Sequence, residues 1–368
     1  MSENSPLHEV HAALGAAFTD FAGWSMPLRY SSQLLEHAAV REAAGVFDLS
    51  HMGELTVTGP AAGAALDAAL VGRASDLPLG RAAYGMVVDE QGLVLDDVVV
   101  YRLGDEEFLV VANAANADVV AGLLTERVRG FDATVRDDGR STALVAVQGP
   151  QAAPALAPLL DVDLDGLGYY RCRPARLSTG AGPVDVLLAR TGYTGEDGFE
   201  LFCPVADAVA VWDAALAAVE PLGGVPAGLA CRDTLRLEAG MPLYGHELTA
   251  ARSPYEAGLG RVVKLDKADP WIGAEALRRI AATPTAEVLV GLRGEGRRAP
   301  RQGYRVLADG AAVGEVTSGA LSPTLGHPVA MAYVDVAHSA VGTALEVDVR
   351  GTRLPVEVVP LPFYRRAR

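Results

Sequence analysis

Arg190-Thr-Gly-Tyr-Thr-Gly-Glu-Asp-Gly-Phe-Glu200 stands between two apolar segments, Val186-Leu-Leu-Ala189 and Leu201-Phe202-Cys203. A glycine-punctuated polar run between apolar stretches reads as strand, turn, strand, with Gly192, Gly195 and Gly198 expected to supply positive φ. The second strand opens with a carboxylate. Side chains alternate across a strand, so Glu200 shares a face with Phe202, while Phe199 and Leu201 share the other. An acid in that setting needs a cation, several donors or a polar ligand, because an unanswered buried charge is costly.

Farther along, Arg232-Asp233-Thr-Leu-Arg236-Leu-Glu238-Ala-Gly240-Met-Pro242 reads as a short helix that ends at a glycine cap with a proline beyond it. Arg232 and Arg236 fall on one face, where two like charges call for an acid from elsewhere or an anionic ligand. Two further stretches resemble each other: Leu55-Thr-Val-Thr-Gly-Pro60 and Leu144-Val-Ala-Val-Gln-Gly-Pro150, each followed by an alanine-rich run. Both read as strand, Gly-Pro turn, helix, which suggests repetition of one α+β unit. Beyond residue 286, short strands broken by glycine turns predict a separate small β-barrel or sandwich, with the boundary in Ala281-Ala-Thr-Pro-Thr-Ala.

With 368 residues, two or three domains are expected. A net charge of −15 argues against general nucleic-acid binding and against docking on an anionic membrane. The three cysteines, Cys172, Cys203 and Cys231, show no metal-ligand spacing and fit a reducing compartment. No stretch reads as a targeting signal or a membrane span, so the expected location is the cytoplasm. Neither a dinucleotide fingerprint, a P-loop, a G-x-S-x-G elbow nor an H-E-x-x-H helix occurs. What remains for chemistry is a set of acids and arginines in apolar or glycine-rich contexts. Asp96-Asp97 precedes Val-Val-Val-Tyr101. Adjacent strand residues face opposite ways, and Asp97 is taken as the inward carboxylate, able to hold a heterocycle N–H or stabilise a cationic transition state. Phe47-Asp-Leu-Ser-His51-Met52-Gly53 leads into the first strand of the repeat. His51 is read there as a satisfied structural histidine with no catalytic role.

Together these segments resemble the glycine cleavage T-protein family of aminomethyltransferases. The matching motifs are Phe47–Gly53, Asp96–Tyr101, Arg190–Glu200, Arg232–Gly245, Pro254–Leu259, Thr317–Pro323 and Pro362-Phe-Tyr364, in family order over nearly the whole chain. The resemblance implies an α+β, three-domain cloverleaf: two interleaved α+β domains, one of them ferredoxin-like, within residues 1–280, and a C-terminal β-barrel over 286–368. It implies transfer of an aminomethyl-derived one-carbon unit from the dihydrolipoyl arm of the H-protein to tetrahydrofolate, with release of ammonia and formation of 5,10-methylenetetrahydrofolate. It further implies indirect partnership with the decarboxylase and dihydrolipoyl dehydrogenase components, and no metal. Family positions carry over to Asp97 as the catalytic residue and to Met52, Tyr84, Val99, Tyr101, Asn113, Glu200, Arg232 and Tyr364 as folate contacts. Two departures stand out. Gly260-Arg261 follows Pro254–Leu259 where the family often has an aromatic, a wall that is either missing here or supplied by Trp271, and the arginine-rich tail is short. The rival readings on this scaffold are a stand-alone folate-dependent demethylase and a non-enzymatic folate-binding iron–sulfur assembly factor; the latter's cysteine motif is missing from Ser253–Arg261.

Overall fold

The computed structural model describes residues 2–268 and 270–367. The chain falls into two compact units. The first takes the segments up to Ala69, Arg73–Tyr84 and Val98–Asp233; the second takes Leu70–Gly72, Gly85–Asp97 and the chain from Thr234 onward.

In the first unit the strand Gly198–Pro204 lies inside a six-stranded sheet, between Gly182–Ala189 and Thr142–Gln148, with Gly45–Asp48 and Val225–Pro226 continuing the sheet beyond the latter. One face of this sheet is the main core. Phe199, Leu201 and Cys203 alternate into it beside Val145, Val147 and Leu188, and helix Ala208–Val219 closes it with the fully buried Trp212. A second sheet runs in the order Ala82–Val88, Val94–Arg102, Glu107–Ala112, Gly53–Thr58, Thr134–Asp137.

The repeat anticipated from the sequence is present, one copy in each sheet. Strand Gly53–Thr58 passes through Gly59 into helix Ala62–Ala69, and strand Thr142–Gln148 passes through Gly149 into helix Ala152–Leu156. Both glycines are at positive φ, +128° and +136°. A Cβ at either would lie 2.4 Å from a carbonyl oxygen, that of Asp132 or of Ala43. The Gly-Pro turns are therefore demanded twice over, by backbone conformation and by close approach. The two copies meet at an antiparallel bridge between Arg81 and Arg171, with Ala82 N donating to Tyr170 O at 2.9 Å and Cys172 N to Gly80 O at 2.9 Å.

The N-terminal segment is fastened by polar contacts. Buried Asp48 accepts from Ser5 Oγ, bonds His11 Nε2 at 2.9 Å and accepts from Ser50 N at 2.9 Å. Burial alone would raise its pKa, but the bonds and charge of His11, with Ser5 and Ser50, bring it below the usual carboxylate value. Glu36, fully buried, accepts from the backbone N–H groups of Tyr30, Ser31 and Gly228 at 2.8, 2.8 and 3.0 Å.

In the second unit a closed six-stranded barrel follows the order Glu287–Gly294, Pro328–Asp335, Ala311–Leu321, Arg305–Ala308, Ala344–Val349, Thr352–Val359. Its interior is valine-rich, as the alternating strands predict. Helix Leu229–Glu238 ends in a Schellman cap, with Gly240 N bonding Leu237 O at 2.9 Å and Met241 N bonding Arg236 O at 2.9 Å, Gly240 being left-handed at φ +64°. Arg236 obtains the acid its charge requires: Glu247 lies at 2.9 Å, both side chains being buried, and Ser318 Oγ accepts at 2.8 Å. Glu238 accepts from Ser322 Oγ at 2.5 Å, Thr324 N at 3.0 Å and Thr324 Oγ1 at 2.7 Å. The motif after Arg232 and the Thr317–Pro323 motif are thus bound to each other through buried charge.

Gly149→Ala is expected to cost about 1–3 kcal/mol or more through backbone strain, with a further steric penalty at the Ala43 carbonyl. A lowered urea midpoint checks it; an unchanged midpoint contradicts this account of the turn.

Candidate active site

The loop between strands Gly182–Ala189 and Gly198–Pro204 is held at three points. Arg190 clasps Asp197 with two bonds, Nε to Oδ1 at 3.0 Å and Nη2 to Oδ2 at 2.6 Å, while its Nη1 caps the carbonyls of Leu164 and Leu167 at 3.0 and 2.8 Å. Arg41 Nη1 reaches Thr194 O at 2.7 Å and Glu196 at 2.9 Å. Gln148, 2% exposed, reaches in from the neighbouring strand, donating to Thr191 O and accepting from Thr194 Oγ1, both at 3.0 Å. The last contact corrects the reading of the glycines. Of Gly192, Gly195 and Gly198, only Gly195 has a positive φ, +82°. Gly192 and Gly198 are required for space, since a Cβ on them would lie 1.9 and 2.4 Å from Gln148 side-chain atoms. The sequence carried a signal for Gln148, the polar residue ahead of the second Gly-Pro turn, but nothing in it pointed to the loop it grips.

That loop delivers the donors for Glu200. Thr191 Oγ1 donates to Glu200 Oε2, and Tyr101 Oη donates to the same oxygen at 3.2 Å. Oε1 receives no protein donor among the described residues. Burial raises the Glu200 pKa, opposed by the Thr191 and Tyr101 bonds and the Arg232 charge. Tyr101 is 1% exposed, meets Phe202 edge-on with centroids 5.7 Å apart, and is held well above the usual phenol range by burial and then by Glu200. Arg232 lies over the Tyr193 ring, 4.5 Å from its centroid. A narrow cavity of about 10 Å³, lined in part by Gln148, Gly192, Tyr193, Glu200 and Arg232, gives room for roughly one water-sized group. The structure therefore brings three of the expected residues together: Tyr101, Glu200 and Arg232. Met52, Tyr84, Val99 and Asn113 are half-buried in the same unit.

Two buried groups nearby went unassigned or misread in the sequence. Glu54 is 1% exposed and neither carboxylate oxygen has a hydrogen-bond partner among the described residues. The register sets Val99 opposite Val111, and Val111 opposite Glu54, so the acid shares its sheet face with Val99 and Tyr101. Burial, then Asp137, Asp138 and Glu200, push its pKa well up, with only its own backbone acting the other way. His51 is 2% exposed and, against the expectation of a satisfied histidine, neither ring nitrogen has a hydrogen-bond partner among the described residues.

In the second unit, Asp96 is buried and Asp97 half-buried, the reverse of the expected inward choice. Burial and then the charges of Asp96 and Asp97 raise the Tyr244 phenol. Tyr364 is half-buried, its N–H donating to Glu238 O at 2.8 Å. Trp271 packs under Lys267, whose Nζ lies 4.1 Å from the ring centroid, and Gly260 is small because the Tyr255 ring would lie 2.6 Å from a Cβ there. The aromatic next to Gly260 is thus Tyr255 of the motif itself.

An α+β unit with a clasped carboxylate, joined in one chain to a six-stranded barrel unit, defines a two-part transferase scaffold with known relatives. The GCVT N-terminal domain matches residues 7–267, and the glycine cleavage T-protein C-terminal barrel domain matches residues 288–365. The aminomethyltransferase of Saccharopolyspora erythraea is 60% identical, with 98% of each chain covered, and that of Streptomyces avermitilis 58% identical over 100% of both. The solved glycine cleavage system aminomethyltransferase T of Bartonella henselae superposes with a TM-score of 0.92 at 36% identity, covering 99% of this chain and 98% of that one. The chain belongs to the glycine cleavage T-protein family and is an enzyme of the aminomethyltransferase class. No helix among the described residues is long and apolar enough to cross a membrane.

Glu54 supplies a pH signature. Its folded pKa lies above the unfolded value, so the native state binds the extra proton between the two, and stability present below about pH 4.3 is lost as pH rises through the folded pKa. Glu54→Gln should raise the melting temperature at pH 7–8 and leave it little changed near pH 4; equal effects at both would refute the assignment.

Proposed function

We propose that this protein moves the one-carbon unit of an aminomethyl group, carried on a sulfur of the dihydrolipoyl arm of an H-protein, to tetrahydrofolate. The balance is closed without an oxidant. The C–S and C–NH2 bonds break, two C–N bonds form at N5 and N10 of the folate, and the two folate N–H protons leave with the thiol and with ammonia.

The observation that carries the reading is the state of Glu200. Both of its protein donors converge on Oε2. Oε1 is left as an acceptor beside a cavity that admits a single polar group, which suits the N–H edge of a pterin. Thr191 and Tyr101 orient the carboxylate in advance, and their bonds, followed by the Arg232 charge, oppose the rise in its pKa that burial causes. Met52, Tyr84, Val99 and Asn113 complete the folate contacts of this unit. Tyr364 is the folate contact contributed by the C-terminal segment. Asp97 is assigned the catalytic role: its carboxylate orients the attacking folate nitrogen and stabilises the carbon that gains positive charge as ammonia or thiol departs. Positioning of that carbon against the nitrogen supplies the remaining acceleration. The working partner is the lipoylated H-protein, with the decarboxylase and dihydrolipoyl dehydrogenase acting on the same carrier in turn. The reading requires no metal and places the enzyme in the cytoplasm. A demethylase or an assembly factor on this scaffold would show no dependence on the loaded carrier.

Ammonia release from aminomethyl-loaded H-protein, with and without tetrahydrofolate, tests the reaction: folate should stimulate release strongly, with 5,10-methylenetetrahydrofolate as product. Asp97→Asn should lower kcat by about 10²–10³-fold with folate binding intact, and normal turnover would remove its assigned role. Glu200→Gln should weaken tetrahydrofolate binding by roughly 10–100-fold, the worth of a hydrogen bond to a charged group; unchanged binding would place the pterin elsewhere.

A further inference from the structure

Gln148 has no part in the folate contacts assigned above, yet its side chain lies across the loop that brings Thr191 to Glu200. It is the last residue of strand Thr142–Gln148 and is paired with Gly198. The amide passes between Gly192 and Gly198: a Cβ on the first would stand 1.9 Å from Gln148 Oε1, and one on the second 2.4 Å from Nε2. Neither glycine has a positive φ, so what each supplies is room for this amide.

The polarity of the amide is set by its partners. Thr191 O can only accept, so it takes an Nε2 proton, at 3.0 Å. Thr194 Oγ1 accepts from Glu196 N at 3.2 Å and turns its own proton to Gln148 Oε1 at 3.0 Å. The position therefore calls for a donor and an acceptor on one flat group, which glutamine supplies and an ionised glutamate or an apolar residue of the same length does not. The other ties of the loop lie elsewhere: Arg190 holds Asp197 at its base, and Arg41 holds Thr194 O and Glu196. None of these bonds reaches Thr191. The Thr191 hydroxyl meets Glu200 Oε2 and, at 3.3 Å, Tyr101 Oη, while its carbonyl is held by Gln148. Because residue 192 is a glycine, the peptide that follows Thr191 has wide freedom to turn without that bond. Gln148 is thus joined to Glu200 by successive hydrogen bonds through a single residue.

We propose that Gln148 is a positioning residue of the folate site: by holding the Thr191 carbonyl it keeps the Thr191 hydroxyl on Glu200 Oε2, which leaves Oε1 to the pterin. Gln148 and Glu200 line the same narrow cavity, but both polar atoms of the amide are engaged by the loop, so Gln148 acts through Thr191 and not on the ligand. The inference rests on the folate reading given above.

The test is a double-mutant cycle read as the tetrahydrofolate Kd and the melting temperature. Gln148→Met keeps the length of the side chain between the glycines and removes both of its bonds; Thr191→Val removes the hydroxyl and leaves the carbonyl on Gln148. Each alone should weaken tetrahydrofolate binding roughly tenfold, a coupling ordinary for neighbouring polar groups. Together they should bind no more weakly than Thr191→Val alone. A Gln148→Met protein with a lowered melting temperature and the parental Kd marks a merely structural role and overturns the proposal. The same weakening by Gln148→Met with and without the Thr191 hydroxyl also overturns it, since the amide then acts by another route. If Gln148→Met does not fold, Gln148→Leu takes its place with the same expectations, and a parental Kd for Thr191→Val overturns the proposal whatever the Gln148 variants do. A parent protein that fails to bind tetrahydrofolate, or binding that Glu200→Gln leaves unchanged, overturns the folate reading itself, and the inference falls with it.

Discussion

Glu200 occupies a strand whose other face is the hydrophobic core, so its charge is tolerable only if donors and a cation are brought to it from outside that strand. Much of the first unit serves this requirement. Thr191 comes from the loop on one side, Tyr101 from the other sheet, and Arg232 from the helix that begins at Leu229. The loop is rigid because Gln148 fills the space that two glycines leave open and Arg190 locks Asp197 across its base. A carboxylate prepared in this way loses little on meeting a ligand, because its geometry is set beforehand.

The same logic of buried charge organises the second unit. Arg236 with Glu247 and Ser318, and Glu238 with Ser322 and Thr324, join the end of the helix to the segment after it, to the barrel strand Ala311–Leu321 and to the turn beyond that strand. Removing one member of such a pair leaves the other charged and dry, a loss of about 3–5 kcal/mol. These bonds specify which surfaces of the unit meet more than they add net stability. Segments far apart in sequence are thereby required to carry complementary polar residues, and the long motifs are the visible trace of that requirement.

The strand, Gly-Pro turn and helix repeat provides the scaffold beneath the site. Each copy turns on a glycine that no other residue replaces, Gly59 or Gly149, and the copies join through Arg81 and Arg171. One copy brings His51, Met52 and Glu54, and the other brings Gln148. Glu54 lies at the start of its strand and Gln148 at the end of its own, where it meets the loop at Gly192 and Gly198.

Strand alternation by itself determined that Glu200 faces away from Phe199 and Leu201, and the Gly-Pro turns and the valine-rich strands after residue 286 marked the repeat and the barrel. Motif order was enough to name the family and, with it, the residues expected around the folate. These are local properties: period, turn chemistry and composition act over a few residues. The partner of each charged group was decided only by the tertiary structure. Arg232 and Arg236 look equivalent on a helix, yet one lies over Tyr193 and the other is paired with Glu247. Gly192 and Gly198 look like turn glycines, yet they are empty space for Gln148. Asp96, not Asp97, is the buried one of the pair, and the buried side chains of His51 and Glu54 have no hydrogen-bond partner among the described residues. Each of these depends on side chains tens to hundreds of residues away, and a sequence read locally has no access to the distances that desolvate one charge and answer another.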